Sequence, residues 1–422
     1  MENKPCSIAI IGAGVAGLTA GYLLSRKHNV TLFEKSGRLG GNAYTHTTSD
    51  GENVDIAVAA FGKVGYPLFY KLLDELGIKT KLCLTSYMSF ENLQTGEGMY
   101  MTPTLKGLWS QKFKIISPRS IATVLKLFSG IGHGLQLFNE NSLDNMTLRE
   151  ALARIPSIKA ESRVIFLCAL CLLSSMSAEE VLDAPADFFF HKLKIHNDVV
   201  SPKAVYSVRA TSDRTKSYVD ALAAPYKGNI ELNSDIETVL RNKSGVELVF
   251  KDGSKRAFDK VIFACNADQA IDLLEQPTEQ EDELLGAWSY KDGRMVVHSD
   301  HSAFPKRELM QAYTFMYTEN EGVFNTSVSG ALWLEPGVSK DCTLISSQHP
   351  NFDIDENLIE LETVLRTPIF DFKSCATIEQ LPHLNGKAHS YYCGSHFGHG
   401  LHEDAVRSAV DVAEMLGVEF RS

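Results

Sequence analysis

Three glycines near the start of the chain have the spacing of a phosphate-binding turn. Gly12, Gly14 and Gly17 come between the apolar run Ser7–Ile11 and the segment Val15–Leu24, whose apolar residues recur at helical spacing. In such a strand–turn–helix unit the first glycine permits the tight turn and the second lets the backbone approach a diphosphate. The third glycine lets helix and strand pack closely, and the start of the helix adds free N–H groups. This turn therefore predicts a dinucleotide site, which we extend to Ala16.

An acidic residue stands where a dinucleotide's ribose is expected. Glu34 closes the second apolar strand, about 20 residues after the glycine turn. A carboxylate there accepts hydrogen bonds from ribose hydroxyls and repels a 2′-phosphate, which argues against NADP. Because strand, turn, helix and acidic residue all occur in order, the motif is more specific than glycines alone.

A second polar cluster lies in a glycine-rich loop near the end of the chain. His396, His399 and His402 occur at three-residue intervals and precede Glu403 and Asp404. Three alternatives remain open for the histidines: metal binding, a hydrogen-bond or proton-transfer role, and plain structural hydrogen bonding. The spacing is not typical of zinc sites, so no metal is predicted. Proton transfer is open to them because histidine titrates near neutrality.

The elements that must position these residues indicate two interleaved domains. The 422-residue chain exceeds the usual size of a single core, and apolar strands return after residue 230 and again near the end. The fold class predicted is α/β, with a βαβ unit that begins at the N-terminus. The net charge of −11 disfavours nucleic acid as a partner.

Scattered cysteines and short apolar runs indicate a reducing, soluble setting. The eight cysteines lie mostly in apolar stretches, as reduced core thiols do, and we expect Cys168 and Cys171 to be buried in a helix. The longest apolar run recognised, 164–173, is shorter than a membrane span, and no signal peptide is evident. We therefore expect a cytoplasmic protein.

The residues after Glu34 identify a family resemblance. The stretch EKSGRLGG, with Arg38, Gly40 and Gly41, resembles the E-x-x-x-R-x-G-G signature of the flavin-containing amine oxidase superfamily. The resemblance implies non-covalent FAD, whose diphosphate this second element covers. The further cofactor-binding positions that it implies are Lys35, Asn42, Ala59, Ala60, Val239, Gly394, Ser395, Glu403, Asp404, Ala405 and Val406.

The resemblance also implies an architecture. It predicts a Rossmann-like FAD-binding domain formed by residues 1–75, 205–285 and 375–422. A second domain of mixed sheet and helices, residues 76–204 and 286–374, would bind substrate. The chain is most similar to a bacterial branch of NAD/FAD-binding proteins found near cyclopropane-fatty-acid-type lipid enzymes. It departs from the family at Ala57, where the family usually has glycine, and at Ser395, where it usually has Glu or Asp. The Gly-Gly-Ser that is usual in the branch is absent from the loop ATSDRTKSYV.

The implied activity is hydride removal from a C–N or C–C bond of an apolar small molecule, an amine or a lipid-like compound, with the flavin reoxidised by O2 or a carrier. The alternatives are a desaturase or isomerase of fatty acyl or polyene chains, and a flavin-binding partner protein without turnover. The catalytic candidates are His396, His399, His402 and Arg294. Basic and apolar residues in 106–126 offer a peripheral membrane contact, although an exposed helix with a buried apolar face is the favoured explanation.

Overall fold

The protein was analysed as a computed structural model, which describes residues 4–57, 60–83, 88–101, 118–196, 207–320 and 323–420. The strands are, in chain order, β1 Ser7–Ile11, β2 Asn29–Phe33, β3 Thr45–Thr47, β4 Asn53–Asp55, β5 Thr80–Leu82, β6 Met88–Asn92, β7 Gly98–Met101, β8 Arg209–Thr211, β9 Ile230–Glu231, β10 Ile236–Asn242, β11 Gly245–Phe250, β12 Lys255–Phe258, β13 Lys260–Phe263, β14 Tyr290–His298, β15 Tyr313–Asn320, β16 Val323–Ala331, β17 Ile345–Gln348, β18 Ile359–Pro368 and β19 Ser390–Tyr392. The α-helices are α1 Val15–Leu24, α2 Pro67–Glu75, α3 Pro118–Asn139, α4 Leu148–Ala153, α5 Glu161–Ser174, α6 Ala178–Asp183, α7 Ala186–Ile195, α8 Arg214–Ala223, α9 Ala267–Leu273, α10 Glu279–Leu285, α11 Phe372–Thr377 and α12 His402–Met415.

A parallel sheet in the order β19-β13-β1-β2-β9 supports the glycine turn. Its central strand β1 is an unbroken apolar run and is buried on both faces, as parallel strands covered by helices are. Helix α1 packs against α12, so the first and last helices of the chain share one core. The α/β class predicted from the sequence is confirmed.

A mixed sheet in the order β18-β14-β17-β16-β15-β6-β7 forms the second large layer. Its pairings are antiparallel except between β15 and β6. A smaller antiparallel sheet, β10-β11-β12, turns between β11 and β12 at Gly253, whose φ of +83° favours glycine. The two large layers combine a Rossmann-like unit with a mixed sheet and helices, as expected, while the exact domain boundaries stay a prediction.

Helix α3 has one buried stripe and one exposed face. Its buried residues are Thr123, Leu127, Gly130 and Gly134, and the two glycines allow close contact with Ile158 and Phe190. Among the described residues, α3 is the one helix whose length and apolar composition would be enough to cross a membrane. Of its most apolar stretch of 18 residues, 22% is buried inside the protein. The sequence reading had missed this length. Most of segment 106–126, residues 106–117, lies outside the described residues.

Candidate functional site: a glycine cradle opening into an apolar cavity

The glycine turn is built by close backbone packing. Gly12 has φ +106°, and a Cβ atom there would lie 2.9 Å from the backbone of Ala264 at the end of β13. A Cβ at Gly17 would lie 2.0 Å from the carbonyl oxygen of Gly12. Gly14 differs, because no atom lies within 4 Å of its Cβ position. Two of the glycines are therefore required by packing, and the third leaves open space for a ligand.

The carboxylate of Glu34 closes the turn from β2. Its Oε2 accepts a 2.8 Å hydrogen bond from the N–H of Ala13, and its Oε1 accepts one of 2.8 Å from Ser36. An ionised carboxylate has about four acceptor positions, so these two bonds leave capacity for further donors. Since Glu34 also lines the cavity, hydroxyl groups of a ribose can reach it.

The residues from Arg38 to Gly41, which we call the Arg38 segment, cover the glycine turn on the side opposite Glu34. The N–H of Gly40 donates a 2.8 Å bond to Ala13, and Nη1 of Arg38 donates one of 2.7 Å to the carbonyl of Gly41. The guanidinium carbon lies 3.8 Å from the ring centroid of Tyr44, and burial lowers the pKa of Arg38. A cation is thus held beside free backbone N–H groups, which is a donor set suited to a diphosphate.

One cavity of about 770 Å³ runs past this cradle into the mixed sheet. The predicted cofactor-binding residues along its wall are Gly12, Gly14, Ala16, Glu34, Lys35, Arg38, Gly40, Gly41, Asn42, Ala60, Gly394, Ser395 and Ala405. Apolar side chains continue the wall, among them Met88, Leu172, Leu173, Met295, Val328, Leu332 and Phe370. The cavity therefore joins a polar, glycine-rich part to an apolar part.

Four predicted cofactor residues, Gly17, Val239, Val406 and Ala59, lie elsewhere or cannot be placed. Gly17 packs against the backbone of Gly12 and does not line the cavity. Val239 is buried in β10, its carbonyl oxygen accepts a hydrogen bond from the N–H of Glu275, and it does not line the cavity. The prediction that Val239 contacts the ligand is not supported, and Ile236, three residues earlier, lies on the wall instead. Val406 is fully buried away from the cavity. Ala59 lies outside the described residues.

The carboxylates of Glu403 and Asp404 cap helices instead of facing the cavity. Glu403 accepts bonds of 3.1 and 2.9 Å from the N–H groups of Leu68 and Phe69, in the first turn of α2. Asp404 accepts bonds from the N–H groups of His399 and Leu401 and pairs with Arg407 at 2.8 Å. Both side chains therefore hold backbone in place, which corrects their assignment as direct ligand contacts.

Arg294, predicted from the sequence as a catalytic candidate, lies outside the cavity. It lies on β14, about half exposed, and pairs with Glu362 across the strand at 2.9 Å. It does not belong to the residues that line the cavity. Its neighbour Met295 points to the opposite face of the strand and does line it, because side chains alternate along a strand. Arg294 is therefore a surface residue, and we remove it from the catalytic candidates.

The three histidines lie on the cavity wall with separate partners. His396 packs edge-on against Trp288, with ring centroids 5.5 Å apart, and burial lowers its pKa to about 3. His402 shares a 2.8 Å hydrogen bond with the hydroxyl of Tyr218, and burial lowers its pKa to about 4. His399 shares a 3.2 Å bond with His191. They stay neutral at pH 7, and in the described chain they form no group of three ligands around a common point.

Two further wall residues were not predicted from the sequence: Lys192 and Glu335, the partner of Arg214. Lys192 is 1% exposed and donates bonds of 2.6 and 2.8 Å to the carbonyls of Leu173 and His399. Burial lowers its pKa to about 8. The loop ATSDRTKSYV, already noted for lacking glycines, was the available signal for Arg214.

Comparison with known proteins settles the family. Residues 15–287 match the family model of flavin-containing amine oxidoreductases. The chain belongs to this family. Among curated relatives, 15-cis-phytoene desaturase of Arabidopsis thaliana is 23% identical over 343 residues, which is 74% of this chain and 59% of the desaturase. The L-tryptophan oxidase RebO of Lentzea aerocolonigenes is 36% identical over 105 residues, 24% of this chain and 21% of the oxidase. The match therefore spans less than two thirds of these relatives.

Solved structures share the fold along nearly the whole chain. A CLA-producing fatty acid isomerase from P. acnes superposes with a TM-score of 0.68 at 16% identity, covering 99% of this chain and 100% of the other. Cyclohexylamine oxidase from Brevibacterium oxydans superposes with a TM-score of 0.63 at 15% identity, covering 98% and 99%. At these identities the likeness is one of fold.

The residues present fit a flavin dinucleotide. The open space at Gly14, the spare acceptor capacity of Glu34 and the buried cation of Arg38 provide for a phosphate bridge and a ribose. The N-terminus of α12 adds positive dipole character at Ala405 on the wall, although the helix begins at His402 rather than at Asp404. A bound flavin would supply two-electron redox chemistry, and this chain would supply position and exclusion of water.

Proposed function

We propose that the protein binds FAD non-covalently and is an FAD-dependent oxidoreductase that removes hydride from a C–N or C–C bond of an apolar small molecule. The observation that carries this proposal is the continuity of the cavity, which leads from the dinucleotide cradle to walls of Leu, Met, Val and Phe side chains. Binding sites for small molecules have such walls, with a few polar groups that fix orientation.

The state of the cysteines supports non-covalent binding. Covalent attachment through sulfur needs a thiolate. Cys265 lines the cavity, and burial raises its pKa to about 12. Cys393 is fully buried, and burial raises its pKa as well. Both thiols are therefore neutral at pH 7, and we expect the flavin to be released intact on denaturation.

The proposal is tested by anaerobic titration of the purified protein with a panel of apolar amines, fatty acids and polyenes. We expect the flavin absorbance to bleach with one class of compound and to return when air or a carrier is admitted. The compound that bleaches the flavin identifies the substrate class. The rates at which the flavin absorbance returns with air and with each carrier identify the electron acceptor. If no compound in the panel reduces the flavin, the result would support the alternative of a flavin-binding partner protein without turnover.

A second candidate is a desaturase or isomerase of fatty acyl or polyene chains. It is supported by the relative that covers most of this chain, which is named a phytoene desaturase, and by the apolar cavity wall. Product analysis separates the two reactions: a desaturase gives a new C=C bond with reduction of the acceptor, whereas an isomerase gives a product of unchanged mass.

We propose a cytoplasmic protein that contacts membranes peripherally through segment 106–126. In the part of this segment that the structure describes, the apolar residues Ile121 and Leu125 are 48% and 65% exposed, and the basic Lys126 is exposed beside them. Exposed apolar side chains next to a basic one are suited to the surface of a membrane. Liposome flotation of the wild type and of an Ile121→Ser/Leu125→Ser variant tests this. We expect the wild type to float with anionic vesicles and the variant to remain below. Equal flotation of the wild type and the variant would show that these two residues do not contact the membrane.

A further inference from the structure

Glu335 presents a carboxyl oxygen to the cavity. The residue follows the turn Leu332–Leu334 at the end of β16, and its side chain is 20% exposed where it lines the cavity wall. Oε2 accepts a 3.1 Å hydrogen bond from Nη1 of Arg214. Oε1 has no hydrogen-bond partner among the residues that the structure describes. One oxygen is thus fixed, and the other is available to a molecule in the cavity.

Arg214 adopts a strained backbone conformation at the position from which it holds Glu335. It is the first residue of α8 and has φ +70°, a region that favours glycine. Its buried guanidinium also donates a 2.9 Å bond from Nε to the carbonyl of Asn53. Strain of this kind persists where the surrounding structure enforces it, and it is found mainly at functional sites.

Asp55 is the second carboxyl group of the cluster, and its Oδ1 is occupied by three hydrogen bonds. Its carboxylate accepts hydrogen bonds from the hydroxyls of Thr45 and Thr215 at 2.6 and 2.9 Å and from the N–H of Thr215 at 3.1 Å. Arg214 bonds to Glu335, and its charge also lowers the pKa of Asp55 against the larger effect of burial. Oδ2 of Asp55 accepts a 3.2 Å share of the same Thr215 N–H, whereas Oε1 of Glu335 has no partner among the described residues, so an incoming proton has its place on Glu335.

We propose that Glu335 accepts the proton that the substrate loses when its hydride leaves, and that Arg214 is the positioning residue that aims it. This inference rests on the proposed function. The substrate H–X–C–H becomes X=C: the C–H bond gives its electron pair as hydride to the bound flavin, and the X–H bond, N–H or C–H, gives a proton to Oε1. The carboxylate becomes a carboxylic acid and returns the proton to water after the product leaves.

The surroundings of Glu335 suit this role. Burial, and secondarily the charge of Asp55, raise the pKa of Glu335 to about 8, while Arg214 acts in the opposite direction. The other titratable groups that face it are Tyr313 on β15 and Cys342, and burial raises the pKa of both, so they are neutral at pH 7. A proton acceptor is most effective when its pKa lies near the working pH.

The first test is kinetic. In anaerobic stopped-flow with the panel compound that reduces the flavin, we expect Glu335→Gln to slow flavin reduction by about 10²- to 10⁴-fold and to abolish the limb of the pH profile near pH 8. The matched control is Glu362→Gln, which removes an arginine-paired carboxylate on the surface. A Glu335→Gln rate close to that of the control would overturn the proposal.

The second test identifies the positioning role. Arg214→Gly removes the guanidinium and relieves the backbone strain, so we expect a folded protein by circular dichroism. Its reduction rate should fall, its pH limb should move to higher pH, and added guanidinium ion should restore part of the rate. A folded Arg214→Gly protein with unchanged rate and pH limb would contradict the positioning role.

The third test needs no turnover and so separates failure of this inference from failure of the proposed function. Infrared titration of the purified protein follows the carboxylic acid C=O band that is absent from Glu335→Gln. We expect this band to disappear with a midpoint near pH 8. If no compound reduces the flavin, the proposed function fails while this band still decides the state of Glu335. A Glu335 carboxyl that stays protonated above pH 9 could accept no proton at the working pH and would overturn the inference.

Discussion

The ammonium group of Lys192 donates a 2.8 Å hydrogen bond to the carbonyl oxygen of His399 and one of 2.6 Å to that of Leu173. Lys192 belongs to α7, Leu173 lies in the last turn of α5, and His399 precedes α12, so one side chain ties three segments together at the cavity wall. A cation at the C-terminal end of α5 is also favourable for the helix dipole. The histidine loop therefore depends on a buried lysine for its position.

Lys192→Met should change the pH dependence of stability. Burial lowers the folded-state pKa from 10.5 to about 8, so the wild type gains stability as pH rises from 8 towards 10.5 and loses it as pH falls through 8. Methionine has no such dependence. We expect the difference in Tm between wild type and variant to shift in favour of the wild type between pH 7.5 and pH 10. The control is Lys194→Met, since Lys194 is bonded to Asn139 at the surface. Parallel curves for wild type and Lys192→Met would refute the buried position of the ammonium.

His402→Gln should flatten the acid limb of the unfolding free energy. Burial holds the pKa of His402 at about 4, below the ordinary 6.5, so the stability it contributes is present above pH 6.5 and is lost as pH falls through 4. One such group changes the free energy of unfolding by up to about 1.4 kcal/mol per pH unit in this window. Glutamine can still accept the hydrogen bond from Tyr218. Urea titrations at pH 6.5 and pH 4.5 measure the difference, and equal slopes for both proteins would count against a neutral buried His402.

Arg294→Ala should be nearly silent. The side chain is about half exposed and pairs with a carboxylate that is equally exposed, and such pairs contribute about 0.2–1 kcal/mol. We expect a small change in Tm and an unchanged rate of flavin reduction. A large loss of rate at unchanged stability would return Arg294 to the catalytic candidates.

The local part of the site could be predicted from sequence. The glycine turn, Glu34 and the Arg38 segment are close together in the chain, and each has a backbone requirement that a motif records. Contacts between distant residues could not be predicted. Arg214 and Glu335 are 121 positions apart, and Lys192 and His399 are 207 apart, so only the packing of whole elements brings them together.

The failures at Arg294 and Glu403 have a common origin. A motif gives the position of a residue along the chain but not the direction of its side chain. On β14 a shift of one residue reverses the face, so that Met295 lines the cavity and Arg294 meets solvent. Glu403 reaches the unpaired N–H groups of α2, a helix whose nearness the motif does not record.

The central claim, that the glycine turn holds the diphosphate of FAD, is tested most directly by Gly14→Ala. Gly14 has an extended backbone that alanine adopts readily, and its Cβ would enter open space on the cavity wall, so the protein should fold with nearly unchanged Tm. We expect calorimetric titration with FAD to show at least about tenfold weaker binding, which corresponds to about 1.4 kcal/mol. Binding of FAD by Gly14→Ala with the affinity of the wild type would contradict the account.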